Sequence, residues 1–122
     1  MAEILIIDDD SKMRRLLVRT LKSAGHSVHQ AADGRKGLHL FQENPPALVI
    51  TDIVMPDKEG IETIQALRRA ASDLPILAIS GSGEHGYLRF AMELGATATL
   101  AKPFGADDLL ATVSRLLTKP AP

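Results

Sequence analysis

Three short, unbroken apolar runs constrain this chain more than any other feature: Ile4-Leu5-Ile6-Ile7, Ala47-Leu48-Val49-Ile50 and Ile76-Leu77-Ala78-Ile79. They are continuous rather than alternating, the pattern of strands covered on both faces in a parallel sheet flanked by helices. Weaker runs at Ser27 to Ala31 and Ala96 to Ala101 complete a set of five predicted strands. Between them lie segments with helical periodicity. Met13, Leu16, Leu17, Leu21 and Ala24 form the first, stopped by Gly25. Leu38, Leu40 and Phe41 belong to a second, which ends near Asn44-Pro45-Pro46. Ile61, Ile64, Leu67 and Ala71 mark a third, and Leu88, Ala91 and Leu94 a fourth closed by Gly95. Leu109, Leu110, Val113, Leu116 and Leu117 mark a fifth, opened by Asp107 and Asp108, whose charges suit a helix N-terminus. Five strand-helix units with right-handed crossovers predict a doubly wound α/β domain: a five-stranded parallel sheet of order 2-1-3-4-5, flavodoxin-like, in three α/β/α layers.

In such sheets ligands bind beyond the C-terminal strand ends, where the strand order reverses. Here that point lies between the first and third strands, and the residues falling there are Asp8, Asp9, Asp10 and Asp52. Two unit charges about 4 Å apart repel by roughly 4 kcal/mol at an effective dielectric near 20. Carboxylates sharing one cleft therefore need a counter-charge or raised pKa values. A hard divalent cation answers that need. Magnesium fits a site with few carboxylates, several waters and a substrate phosphate. Asp10 is expected to serve as the N-cap of the first helix. Asp52 follows a buried strand and precedes Ile53-Val54-Met55-Pro56. A carboxylate held there can attack a phosphoryl group to give an acyl phosphate. Ser80 closes the fourth strand and Lys102 the fifth, a hydroxyl and a point charge both suited to phosphate.

Composition narrows the remaining choices. With 122 residues, 45% of them apolar, the chain suits one domain, expected over residues 1–118, with 119–122 as a flexible tail or the start of a linker. The net charge of -1 argues against direct nucleic-acid binding. The absence of cysteine excludes disulfides and thiolate metal sites. The first apolar run is too short for a secretory signal, and no stretch is long enough to span a membrane, so a cytoplasmic protein with no membrane partner is expected.

The constellation Ile6-Ile7-Asp8-Asp9, Asp52 with Met55-Pro56, Gly60, Ser80 and Lys102-Pro103-Phe104 resembles the receiver domain of two-component response regulators. The likeness covers nearly the whole chain, and Ser11 to Arg15 looks like the first helix of chemotaxis-type receivers. The resemblance implies that Asp52 accepts phosphate from a sensor histidine kinase or histidine phosphotransfer protein. It implies that Asp9 binds Mg2+ directly, Asp8 largely through water, and the Val54 carbonyl as a further ligand. Lys102 would pair with the phosphoryl group and Ser80 would move toward it. Output to a downstream effector protein or domain would use the face of the fourth helix, fifth strand and fifth helix. The chain would be no enzyme beyond its own phosphotransfer and autodephosphorylation. Thr99 departs from the family, which often carries an aromatic residue there. Gly81-Ser82-Gly83 makes the loop after Ser80 permissive, and Val54 and Ser82 stand at positions that in the family influence phosphoryl lifetime.

Two other functions use some of the same residues. Asp8-x-Asp10 after an apolar strand imitates the nucleophile motif of a small haloacid-dehalogenase-like phosphatase, although Asp52 would then have no role. A flavodoxin-like binding module shares the fold, but three carboxylates after the first strand would repel a flavin phosphate. Elsewhere, His26, His29, His39 and His85 lack metal-ligand spacing and are expected at the surface. Arg14-Arg15 and Arg68-Arg69 are expected on solvated helix faces. Phe90 is expected to pack in the core or anchor a loop, with a partner surface shared with Tyr87 as the alternative.

Overall fold

In the computed structural model, residues 2–55, 59–81 and 85–118 are described, the side chains of 85–88 excepted. Strands β1 (Glu3–Ile7), β2 (Ser27–Ala31), β3 (Leu48–Asp52), β4 (Ile76–Ser80) and β5 (Ala98–Ala101) alternate with helices α1 (Ser11–Ser23), α2 (Gly34–Glu43), α3 (Glu59–Ala70), α4 (His85–Leu94) and α5 (Ala106–Leu117). The sheet order is β2-β1-β3-β4-β5 and every pairing is parallel, as the apolar runs predict.

The continuous apolar runs have a direct cause. Successive side chains on a strand point to opposite faces. Leu5, Ile7, Val49, Ile76 and Ala78 pack with Phe41, Ile64, Leu67 and Ala91 of α2, α3 and α4. Ile4, Ile6, Leu48, Ile50, Leu77 and Ile79 pack with Leu17 and Leu21 of α1 and with Leu109, Val113 and Leu116 of α5. Both faces of β1, β3 and β4 are therefore dry, and all fifteen of their residues are apolar or buried except Glu3, which is half-buried. The two weak runs are the two edge strands. In β2 only Ala31 is buried, and β5 is half-buried throughout. The last predicted strand begins two residues later than its apolar run, because Ala96 and Thr97 turn the chain from α4 into the sheet. The Ala96 amide donates to the Ala91 carbonyl and that of Thr97 to the Ile76 carbonyl.

Helix ends follow local chemistry. The Asp10 carboxylate caps α1 by accepting from the Lys12 amide at 2.9 Å, as expected. Asp33 caps α2 through the Lys36 amide. Gly95 ends α4 with φ +126°, a conformation that a side chain would strain.

Two expectations about arginine are corrected. Arg15 and Arg69 are exposed, but Arg14 and Arg68 are half-buried and bonded inward. Arg68 donates to the carbonyls of Ala71, Ser72 and Gly95 and to the Thr97 hydroxyl, tying the end of α3 to the α4–β5 turn. Its position four residues after Ile64 puts it on the inner side of α3. Phe90 is 41% exposed rather than packed in the core. The side chains of Tyr87, Leu88 and His85 lie outside the described residues, as do Ser82, Gly83 and the tail at 119–122. His29 and His39 are exposed and His26 is half-buried. Among the described residues, no helix is long and apolar enough to cross a membrane.

Candidate functional site

Parallel register brings the C-terminal strand ends to one edge. Ile7 lies beside Thr51, Asp52 beside Ile79, and Ser80 beside Ala101. Asp8 and Lys102 each follow a strand directly, and Asp52 and Ser80 each end one. The register alone thus gathers Asp8, Asp9, Asp52, Ser80 and Lys102 at the predicted switch point.

Asp52 is 5% exposed and held at both carboxylate oxygens. Oδ1 accepts from the Val54 amide at 2.9 Å and Oδ2 from Lys102 Nζ at 3.2 Å. Asp8 is fully buried. Its Oδ1 accepts from the Asp10 amide at 2.9 Å, while Oδ2 has no hydrogen-bond partner and lies 3.6 Å from Lys102 Nζ. Exposed Asp9 completes a group in which one carboxylate oxygen each from Asp8, Asp9 and Asp52 lie within 4.8 Å of one another. Ser80 is fully buried, and the Lys102 amide donates to its carbonyl at 2.6 Å. The Lys102-Pro103 peptide is cis.

Electrostatics agree with the geometry. Burial, reinforced by the Asp52 and Asp9 charges, pushes Asp8 from 3.8 up to about 6 against the opposing Asp10 amide and Lys102. Burial also raises Asp52, opposed by the Val54 amide and Lys102. For Lys102, burial acts downward, but the charges of Asp52 and Asp8 outweigh it and its value rises. Three carboxylates and one ammonium leave a formal charge of -2.

These residues suit a small divalent cation. A buried carboxylate oxygen without a hydrogen bond carries a desolvation penalty that a metal–oxygen bond would reduce. Oxygens of the three carboxylates within 4.8 Å of one another are near enough to share one such ion.

Two residues besides the expected metal and phosphate ligands shape this pocket. Arg14 Nη1 donates to the Asp8 carbonyl at 2.7 Å and its Nε to Gln30 Oε1 at 3.3 Å, fixing the end of β1 against β2. The signal was its spacing, since Arg14, Leu17 and Leu21 share the inner stripe of α1. Gly60 admits α3 close to the acid loop. A Cβ there would lie 2.3 Å from the Ile53 carbonyl oxygen and 2.7 Å from that of Asp52.

Comparison with known proteins identifies the family. Residues 4–114 match the family model described as the response regulator receiver domain. The chain is 37% identical over 119 residues to the response regulator MprA of Mycolicibacterium vanbaalenii, covering 98% of this chain and 52% of that protein. It is also 37% identical to the probable transcriptional regulator ycf27 of Cyanophora paradoxa, covering 48% of it. The chain thus spans about half the length of these curated relatives. The receiver domain of NtrX from Brucella abortus superposes with a TM-score of 0.92 at 29% identity, covering 96% of this chain and 99% of that one. The chemotaxis response regulator CheY4 of Vibrio cholerae does so with 0.87 at 34% identity, with the same coverage. With its strand order, acid pocket and matched span in agreement, this chain belongs to the response regulator receiver domains of two-component systems.

Proposed function

We propose that Asp52 is the phosphoacceptor of this receiver, that Asp8, Asp9, Asp52 and the Val54 carbonyl hold Mg2+, and that Lys102 and Ser80 bind the incoming phosphoryl group. The observation that carries this reading is Asp52 itself, a nearly buried carboxylate fixed by the Val54 amide and Lys102 beside Asp8 Oδ2, which has no hydrogen-bond partner. A carboxylate oxygen of Asp52 attacks phosphorus of a phosphohistidine. The new O–P bond gives an acyl phosphate, the P–N bond breaks, and the histidine nitrogen keeps the electron pair and takes a proton. Magnesium, when bound, offsets charge on the phosphoryl oxygens. Lys102 follows its carboxylate partner to the phosphoryl group as a point charge. The Ser80 hydroxyl donates to a phosphoryl oxygen.

The donor in this reading is a sensor histidine kinase or a histidine phosphotransfer protein in the cytoplasm. The chain performs no chemistry beyond accepting and losing its own phosphoryl group. The added charge biases a surface read by a downstream effector protein or domain through α4, β5 and α5, where Phe90 and Met92 are exposed. Thr99 is half-buried on β5. It supplies no ring to rotate, so the relay from Ser80 acts through packing and backbone. Residues 1–118 form the receiver and 119–122 begin a linker or tail.

Incubation with phosphoramidate and magnesium should add one phosphoryl group per chain, seen by intact mass, and Asp52→Asn should abolish it. Full labelling of that variant refutes the assignment. Repeated turnover of phosphate monoesters, lost in Asp8→Asn but kept in Asp52→Asn, would instead favour the phosphatase.

A further inference from the structure

Asp8 and Asp9 are consecutive, and consecutive side chains on an extended strand point to opposite sides. Yet an oxygen from each lies within 4.8 Å of the other and of one from Asp52. The approach is made possible by a bend in the main chain at Asp9, and repulsion between the acids works against that bend. The register of β1 with β2 and β3 ends at Ile7, so the sheet ladder does not hold it. Two hydrogen bonds do. The Asp8 amide donates to the Ala31 carbonyl at 3.1 Å, and the Asp8 carbonyl accepts from Arg14 Nη1 at 2.7 Å. That carbonyl lies in the plane of the peptide joining Asp8 to Asp9. Arg14 therefore sets the tilt of the plane and the direction in which Asp9 leaves it. The same guanidinium donates through Nε to Gln30 Oε1 at 3.3 Å, and Gln30 stands beside Ile6 on β2. Arg14 is half-buried and, among the described residues, takes part in no ion pair. A guanidinium turned onto a carboxylate would compete with a metal for it. Turned onto a carbonyl, it leaves all three acids open.

We propose that Arg14 is a positioning residue for the metal site, which holds the Asp8–Asp9 peptide in the orientation that brings both carboxylates to one ion, and that Gln30 acts through it by orienting the guanidinium. This role rests on the reading that Asp8 and Asp9 hold magnesium. The clamp is closed on itself within seven residues. The Arg14 amide donates to the Asp10 carbonyl at 3.0 Å, and the Asp10 carboxylate caps the helix that carries Arg14. Helix α1 and the acid pocket therefore move as one piece. A lysine at this position offers one point charge on a flexible stem, whereas the planar guanidinium reaches both acceptors at once. Groups that orient metal ligands without touching the metal commonly set its affinity, because they fix the ligand geometry before the ion arrives.

The test measures magnesium binding to the full chain by isothermal titration calorimetry. Arg14→Met keeps much of the side chain's packing but removes both bonds, and should weaken magnesium by about tenfold or more. Arg14→Lys should fall between that variant and the wild type. Gln30→Met should weaken magnesium by about threefold, and the double variant should match Arg14→Met alone, because Gln30 acts only through Arg14. At saturating magnesium the rate of labelling by phosphoramidate should stay within about twofold of the wild type in Arg14→Met, since Arg14 meets the main chain and not the phosphoryl group. Without metal, amide exchange at Asp10, whose N–H donates to Asp8 Oδ1, should quicken by about tenfold in Arg14→Met while that of Ile6 is unchanged. Arg68→Met, which unties a turn away from the pocket, should bind magnesium as the wild type does. A wild-type chain that binds no magnesium refutes the metal site and this role together. Equal affinity in wild type and Arg14→Met refutes the role alone. So does a labelling defect that persists at saturating magnesium, a loss in the double variant equal to the sum of the two single losses, or an equal loss of affinity in Arg68→Met.

Discussion

Asp8→Asn should stabilise the metal-free protein while removing most of its response to magnesium. The Asp8 carboxyl is raised from 3.8 to about 6, so the folded state binds its proton more tightly than the unfolded chain does. Stability from this group is fully present below 3.8 and is lost as pH rises through 6. That rise of the Asp8 value, at about 1.4 kcal/mol per tenfold change in proton affinity, sets an upper bound of about 3 kcal/mol on the cost of ionised Asp8 at neutral pH. An amide keeps the oxygen that accepts from the Asp10 amide, and the attraction of Lys102 at 3.6 Å is already contained in that bound, but the new amide N–H groups need acceptors in a buried site. A net gain of about 1–2 kcal/mol is therefore expected near pH 7.5. For a domain of this size that raises Tm by roughly 3–10 °C. Urea unfolding with a chelator, at pH 7.5 and again near pH 4.5, measures the difference. The gain should shrink by more than half at the lower pH, where wild-type Asp8 is protonated. Adding magnesium at about a hundred times its dissociation constant should then stabilise the wild type by about 2.7 kcal/mol and the variant far less. The reasoning fails if the variant is less stable than wild type at pH 7.5 without metal, or if its advantage is unchanged at pH 4.5.

Three further perturbations address separate parts of the structure. Lys102→Met removes the only cation bonded to Asp52 among the described residues, so the apparent carboxylate titration of the pocket should move upward and labelling by phosphoramidate should slow at least about tenfold. Carboxylate chemical shifts and intact-mass kinetics report the two effects, and labelling at the wild-type rate would remove Lys102 from the phosphoryl site. Gly60→Ala drives a methyl group into the Ile53 and Asp52 carbonyls. It should destabilise by about 2 kcal/mol or more and distort the acid loop enough to weaken magnesium binding, both readable by denaturation with and without metal. Arg68→Met removes the bonds to Ala71, Ser72, Gly95 and Thr97 and should destabilise by about 2–3 kcal/mol. Amide exchange should then rise around residues 95–97 while β1 stays protected, which hydrogen-exchange mass spectrometry resolves.

Much of this protein was legible in its sequence because two local periods carry the fold. Apolar runs without alternation required strands covered twice, and Leu5 and Ile6 do face opposite cores. With right-handed crossovers that pattern left few topologies, and the one expected is the one formed. The candidate residues of the pocket were legible for the same reason, since Asp8, Asp52, Ser80 and Lys102 each stand at the end of an apolar run, and parallel register aligns such ends. Tertiary structure alone decided how those groups are partnered. No spacing shows that Asp52 has both oxygens hydrogen-bonded while Asp8 keeps one oxygen without a hydrogen bond, because that depends on which amides and which ammonium fall within reach across the sheet. Nor does composition separate Arg14 from Arg15, or Arg68 from Arg69. One residue of helical rotation sends the first of each pair to buried carbonyls and leaves the second in water, and only the packing of the helix against the sheet sets that rotation.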